Sequence, residues 1–142
     1  MKQTLDKAGS NALHEVARDV LRLFVLARQA HWNVRGREFF ELHKAFGKLY
    51  ELCDASADQV AEALRAQQYF VDQVYPVEAM ATFQGSDAME IVKKVSGQID
   101  VVVQTLLAAV VTVKSAPDVQ NLLQDQLAQF NKQAWMFRAF QQ

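Results

Sequence analysis

Residues 38–66 read EFFELHKAFGKLYELCDASADQVAEALRA, and their apolar side chains follow the period of a helix. The apolar positions recur at steps of three, four or seven residues, so they would line one face: Leu42, Phe46, Leu49, Cys53, Val60 and Leu64. The pattern predicts a long helix from about Glu38 to at least Ala66, with this face in a protein core.

Three further helical patterns flank this stretch. The first opens near Ser10, which we expect to be its N-cap, and Gly36 ends it. The third starts at Ser86–Asp87, and the fourth at Pro117–Asp118, where a first-turn proline loses no hydrogen bond. Each carries an apolar stripe at helical spacing, so we predict four helices and no strands.

The connections between these helices are short, long and short. Helices one and two are separated by a few residues around Gly36, and helices three and four by Ser115–Ala116. The middle segment, Tyr69–Gly85, is longer and apolar, and we expect it to include a short helix. This order predicts an all-α fold, a four-helix bundle with one long crossover, as a single domain over residues 1–142.

Composition and charge exclude several classes of protein. Half of the 142 residues are apolar and the formal net charge is −1, so no whole-molecule field attracts nucleic acid or anionic lipid. The single cysteine, Cys53, excludes an internal disulfide and fits a reducing compartment. Arg22, Gln104 and Lys114 interrupt the apolar stretches and the start lacks a signal core, so we expect a cytoplasmic protein without a membrane span.

Two histidines and two acids form a candidate metal set: His31, His43, Asp58 and Glu62. Imidazole and carboxylate donors together suit an iron-like divalent metal. With His43 at zero on a helical wheel, Asp58 and Glu62 fall at roughly 60° and 100°, and the apolar stripe centres near roughly 260°. Gly47, at roughly 40°, stands where a further carboxylate would complete the set.

The spacing alone also allows a simpler interpretation. Acids four residues apart usually mark a solvated helix face, and a lone histidine is usually a surface or core group. However, Phe40 and Ala61 share the face, and helix one is apolar nearly all round between Leu23 and Ala27. Both helices could therefore have a second buried face. A symmetric dimer could then bring the histidines of one subunit to the acids of the other.

Four segments form a specific combination: QAHWNVRG at 29–36, FFELH at 39–43, DQVAE at 58–62 and QAWMFRA at 133–139. Together they resemble the Dps family of miniferritins, the DNA-binding proteins from starved cells. The resemblance spans about residues 10–140, although Gln67–Gly85 lacks the Gly-Gly-x-Pro that usually follows helix two in this family.

The resemblance implies a ferritin-like bundle, with the short crossover helix at a two-fold interface. It implies a hollow homo-oligomer, a dodecamer built from two-fold dimers, with a ferroxidase centre shared between two subunits. Such proteins oxidise ferrous iron, typically with hydrogen peroxide, and store the ferric product, which protects the cell from peroxide stress.

The resemblance also implies a role for each residue of the candidate set. His31 would bind the first iron from one subunit, and Asp58 and Glu62 would bind it from the partner, with Glu62 bridging to a second iron. His43 would serve that second iron. Trp32 would lie beside the centre, either as an oxidisable indole or as an interface aromatic.

Gly47 departs from the family, which usually has aspartate at this position. We expect the second iron to bind poorly and oxidation to slow. The alternative is a cage or metal-binding protein with little or no catalysis, and an unrelated bundle with accidental spacing is a third interpretation. Gln129 and Asn131 replace acids of the last helix, which predicts a modest iron store.

DNA binding is the property of the family that this sequence supports least. Family members that bind DNA often use a lysine-rich tail to neutralise phosphates. Here the start offers only Lys2 and Lys7, and the end offers no basic tail. We expect no tight DNA binding at physiological salt.

Overall fold

The computed structural model describes residues 4–77 and 82–142 of the chain. Within them it contains four long α-helices and no strand, so the predicted all-α class is confirmed. The helices are α1 (Lys7–Asn33), α2 (Phe39–Ala66), α3 (Ala88–Thr112) and α4 (Pro117–Phe140).

Three of the four predicted helix starts lie within a residue or two of the observed ones. Asp87 caps α3 by accepting a 2.9 Å hydrogen bond from the Glu90 amide, and the Glu90 carboxylate accepts one from the Asp87 amide. These are the reciprocal bonds of a capping box. Proline opens α4 at Pro117.

The predicted start of α1 at Ser10 is wrong. The helix begins at Lys7, because the Asp6 carboxylate accepts a 2.8 Å hydrogen bond from the Gly9 amide and so caps it earlier. Gly9 therefore lies inside the helix, where its missing Cβ leaves room for the buried side chain of Leu5.

Neighbouring helices in the bundle run antiparallel. Contacts pair His31 near the end of α1 with His43 near the start of α2, and Phe46 of α2 with Phe137 of α4. The apolar stripes meet between the helices, where Phe46 and Phe130 are fully buried. At about 25 cal/mol per Å², this burial is the main source of fold stability.

The crossover returns from the end of α2 to the start of α3. The first residues of the crossover are held by Tyr69, whose hydroxyl donates a 2.9 Å hydrogen bond to the Leu5 carbonyl oxygen. The short helix expected in Tyr69–Gly85 is absent from the described part of that segment, 69–77 and 82–85, and residues 78–81 lie outside the described residues.

Helix α3 is the one element of the described chain that is long and apolar enough to cross a membrane, judged by length and composition alone. Gln104 and Lys114 do not interrupt this apolar stretch, contrary to the expectation from the sequence. Gln104 is uncharged, and Lys114 lies beyond Thr112, the last residue of α3. The core helix of a soluble protein meets the same criterion. Since α3 buries Ile91, Ile99 and Leu106 completely inside the bundle, this is weak evidence for a membrane span.

Candidate metal centre

His31 and His43 hold each other where α1 ends and α2 begins. The Nδ1 of His31 lies 2.7 Å from the His43 carbonyl oxygen, and the Nδ1 of His43 lies 2.7 Å from the His31 carbonyl oxygen. The two rings are stacked, with centroids 3.7 Å apart and planes 17° from parallel. We call this arrangement of the two residues the histidine clasp.

The clasp fixes the protonation pattern of the neutral rings. A backbone carbonyl only accepts hydrogen bonds, so each Nδ1 carries the proton and each Nε2 keeps its lone pair. A metal-binding histidine commonly donates its other ring N–H to a carbonyl or carboxylate in this way. His43 also satisfies a carbonyl in the last turn of α1, where helical carbonyls lack amide partners. The clasp therefore prepares two nitrogen donors.

Aromatic side chains enclose the clasp. Tyr50 packs edge-on against His31, with ring centroids 5.3 Å apart and planes at 82°. Phe39 stacks on His43 at 4.9 Å. The guanidinium of Arg28 lies 4.9 Å from the Tyr50 ring centre and 5.4 Å from that of Trp32, which is otherwise 63% exposed.

Gly47 is buried beneath the clasp. A Cβ placed on Gly47 would lie 3.2 Å from Cε1 and 3.3 Å from Nδ1 of His31. The helical wheel puts Gly47 on a face turned away from the core of its helix, and this is wrong for the first half of α2. The end of α1 covers that half, so His43 is partly buried as well.

Asp58 and Glu62 lie one turn apart and are both exposed. Protonated Glu62 donates a hydrogen bond to the Asp58 carboxylate, and this bond together with the like charge of Asp58 raises the pKa of Glu62 above its ordinary value. Two carboxylates held this close repel each other when both are ionised, and a divalent cation would relieve that repulsion. Asp54, one turn earlier, and Asp58 line a groove with a volume of about 270 Å³.

The structure separates the predicted set into two halves within one subunit. His43 and Asp58 are fifteen positions apart on α2, which is about 22 Å along the helix at 1.5 Å per residue. Among the described residues of one chain, no three His, Cys, Asp or Glu side chains lie together as a possible metal site. Of the four predicted residues, the fold pairs His31 with His43 and Asp58 with Glu62.

Two contacts of the clasp were not anticipated from the sequence. Tyr50 lies outside the predicted set of site residues, although it follows His43 by seven residues and so shares its helix face. The spacing of residues in the sequence does not predict that Gly47 lies against His31, because this contact depends on how closely α1 approaches α2.

Comparisons with known proteins agree with this architecture. The family model of the ferritin-like domain matches residues 10–142. A DNA protection during starvation protein of Listeria innocua is 30% identical over 138 residues, covering 89% of this chain and 86% of that protein. The crystal structure of a Dps protein from Bacillus brevis superimposes with a TM-score of 0.83 at 28% identity, covering all of both chains.

A shorter match covers less of its relative. The chain is 32% identical over 75 residues to an uncharacterized protein of Haemophilus influenzae, and the match spans about half of that relative, 47% of its length. The ferritin-like match over nearly the whole chain, the long Listeria alignment and the four-helix bundle lead to one conclusion. The chain belongs to the Dps family of miniferritins within the ferritin-like proteins.

Proposed function

We propose that this protein binds and oxidises ferrous iron at a centre formed between two subunits, and stores the ferric product in a hollow homo-oligomer. The observation that carries the proposal is the division of the donors. The histidine clasp offers two Nε2 lone pairs at one end of α2, and Asp58 and Glu62 lie exposed toward the other.

A two-fold axis would complete the centre. In a two-fold dimer, if residue i of one subunit contacts residue j of its partner, then residue j of the first subunit also contacts residue i of the partner. If α2 packs antiparallel against its copy, the clasp of each subunit meets Asp58 and Glu62 of the partner subunit, and two equal centres form. The larger assembly of such dimers, a dodecamer by family resemblance, belongs to this proposal.

Each donor has a chemical task in this proposal. His31, Asp58 and Glu62 bind the first iron, and His43 binds the second with Glu62 as a bridge. Two ferrous ions each give one electron to hydrogen peroxide, which takes up two protons and leaves as two waters. The protein supplies positioning and negative charge, which stabilise the ferric product.

The second iron has fewer ligands than the first. Gly47 provides no carboxylate, so His43 and the bridging Glu62 are its donors among the candidate residues. We propose that the first iron binds near normally, the second binds weakly, and two-electron oxidation is slow. Gly47 equally favours the second candidate function, a metal-binding cage with little or no catalysis.

An iron-oxidation assay separates these two functions. Ferrous iron is added to the assembled protein, followed by hydrogen peroxide, and the absorbance of the ferric product is recorded against a protein-free control. We expect faster oxidation than in buffer, with the ferric iron remaining soluble and sedimenting with the protein. Binding of ferrous iron without faster oxidation would support the non-catalytic cage and contradict the ferroxidase.

The storage capacity should be modest. Iron entry and nucleation are favoured by negative charge, and α4 presents exposed Gln129 and Asn131 where more acids could stand. Exposed Asp118 and Asp125 remain as candidate pore acids.

Cys53 is a buried core thiol. Its burial, and to a lesser extent the charge of Asp54, raise its pKa, so it is not an exposed redox group. A cytoplasmic location is consistent with a free thiol.

DNA binding should be weak. The net charge of −1 gives no overall attraction to phosphates, and Lys7 at the start of α1 is followed by no basic cluster. In a gel-shift at about 0.15 M salt, where the Debye length is near 8 Å, we expect no retarded complex. A stable complex under these conditions would contradict this expectation.

A further inference from the structure

An arginine of α1 lies beside the histidine clasp without a carboxylate to neutralise it. The guanidinium carbon of Arg28 is 4.9 Å from the ring centre of Tyr50 and 5.4 Å from that of Trp32. Cation–π attraction to these two rings holds the charge in place. Arg28 is exposed, and among the described residues of one subunit it forms no ion pair. Its N–H donors are therefore available to a group outside the subunit.

An exposed acid of α2 likewise has no cation beside it. Asp54 forms no ion pair among the residues that the structure describes in one subunit. On the wheel that starts at His43, Tyr50 falls at roughly 340° and Asp54 at roughly 20°, on the face that also carries Asp58. This is the face of α2 that is proposed to meet the second copy of the chain.

The antiparallel pairing of α2 with its copy decides which residues meet. A step forward along one helix is matched by a step back along the other. If His43 meets Asp58 and Glu62 of the partner subunit, then Tyr50, seven residues further on, meets the partner's residues 51–55. Asp54 lies in this stretch, and the guanidinium of Arg28 lies on the ring of Tyr50. The unpaired cation of each subunit therefore faces the unpaired anion of the other.

We propose that Arg28 and Asp54 form an ion pair across the two-fold interface, in which the Arg28 guanidinium donates hydrogen bonds to the carboxylate of Asp54 of the partner subunit. Symmetry forms this pair twice in each dimer. A planar guanidinium matches a carboxylate with two parallel hydrogen bonds, which favours one relative position of the two subunits.

Arg28 and Asp54 are thus positioning residues. They fix the register that brings the clasp of one subunit to the acids of the other, and neither of them binds the metal. This inference rests on the proposed function, because both use the same two-fold interface.

Charge reversal tests the pair, because each single variant creates a repulsion that the other removes. Arg28→Asp places two acids opposite each other, and Asp54→Arg places two arginines opposite each other. Like charges across an interface disfavour association. In a dimer of one Arg28→Asp subunit and one Asp54→Arg subunit, both contacts join opposite charges again.

The measurements are size-exclusion chromatography and calorimetric titration with zinc, which does not change oxidation state. Refolded alone at low salt, each variant should lose the assembled form and bind zinc at least about tenfold more weakly, the lower end of coupling between close interfacial charges. Refolded together in equal amounts, they should assemble and regain the zinc affinity of the unmodified protein. A mixture that behaves like the separate variants overturns the pair.

Arg138→Asp is the matched control. Arg138 is also an exposed arginine, but its guanidinium lies 3.9 Å from Asp100 of the same subunit, so its ion pair joins α4 to α3 within one chain. This variant should assemble and bind zinc like the unmodified protein. Losses equal to those of Arg28→Asp would mean a general effect of charge and would overturn the specific contact.

Zinc titration of the unmodified protein separates this inference from the proposed function. We expect it to bind zinc. If it binds none, the intersubunit centre is wrong, and the proposed ion pair is overturned with it. If it binds zinc and both single variants bind zinc equally well, only the pair of Arg28 with Asp54 is wrong, and the two-fold centre stands.

Discussion

Replacing Glu62 by glutamine should greatly weaken metal binding while leaving the subunit at least as stable as before. Glu62 is proposed to bind the first iron and to bridge to the second, so both sites lose a charged ligand. Loss of an outer-shell partner alone typically reduces metal affinity by about 10–100-fold, so we expect zinc affinity to fall by at least roughly a hundredfold. Peroxide-driven iron oxidation should fall with it.

The pKa of Glu62 determines the expected effect on stability. Because its pKa is raised in the folded chain by Asp58, the folded state holds this proton more tightly than the unfolded state. The resulting penalty is absent below the ordinary pKa of glutamate, develops as the pH rises from there through the raised pKa, and is complete above it. Glu62→Gln removes the like charge, so the thermal midpoint of the metal-free protein at pH 7 should stay the same or rise.

Glu15→Gln is the matched control, since Glu15 is an exposed glutamate on α1 outside the candidate set. It should bind zinc and oxidise iron like the unmodified protein. If Glu62→Gln kept its zinc affinity, Glu62 would not be a ligand. If it lost affinity together with its thermal midpoint, the loss would reflect unfolding instead of the removal of a ligand.

The features that could be predicted from the sequence are those with local causes. The start of α3 could be predicted because Asp87 and Glu90 form their capping box within four residues. The start of α4 could be predicted from Pro117, which occupies its first turn. The apolar stripe of α2 was confirmed because helical periodicity decides which residues meet the core. The start of α1 was missed because Asp6 caps the helix one turn ahead of Ser10.

The candidate site was predictable as a set of residues but not as an arrangement. The wheel treats α2 as one uniform cylinder, whereas the end of α1 covers its first half and leaves Asp58 and Glu62 exposed. The histidine clasp requires the carbonyls of two helices to lie within 2.7 Å of the opposite rings, which depends on tertiary packing. For the same reason, Gly47 could be recognised only as a missing acid.

The central claim is that each metal centre combines the clasp of one subunit with the acids of its partner. The variants His31→Ala and Glu62→Ala each damage one half of the centre, so each alone should bind no zinc at the first site. In a mixed dimer, both lesions fall in one centre, and the other keeps His31 from one subunit and Glu62 from the partner. The mixed dimer can therefore regain a complete centre only if the ligands of that centre come from both subunits.

The most direct measurement is zinc binding by the two variants after they are unfolded together in equal amounts and reassembled. Random pairing makes roughly half of the dimers mixed, and each mixed dimer has one intact centre of two, so roughly a quarter of the wild-type zinc sites should return. Each variant refolded alone is the control and should remain without sites. If the co-assembled mixture also binds no zinc at wild-type affinity, although size-exclusion chromatography shows assembled protein, the intersubunit centre is contradicted.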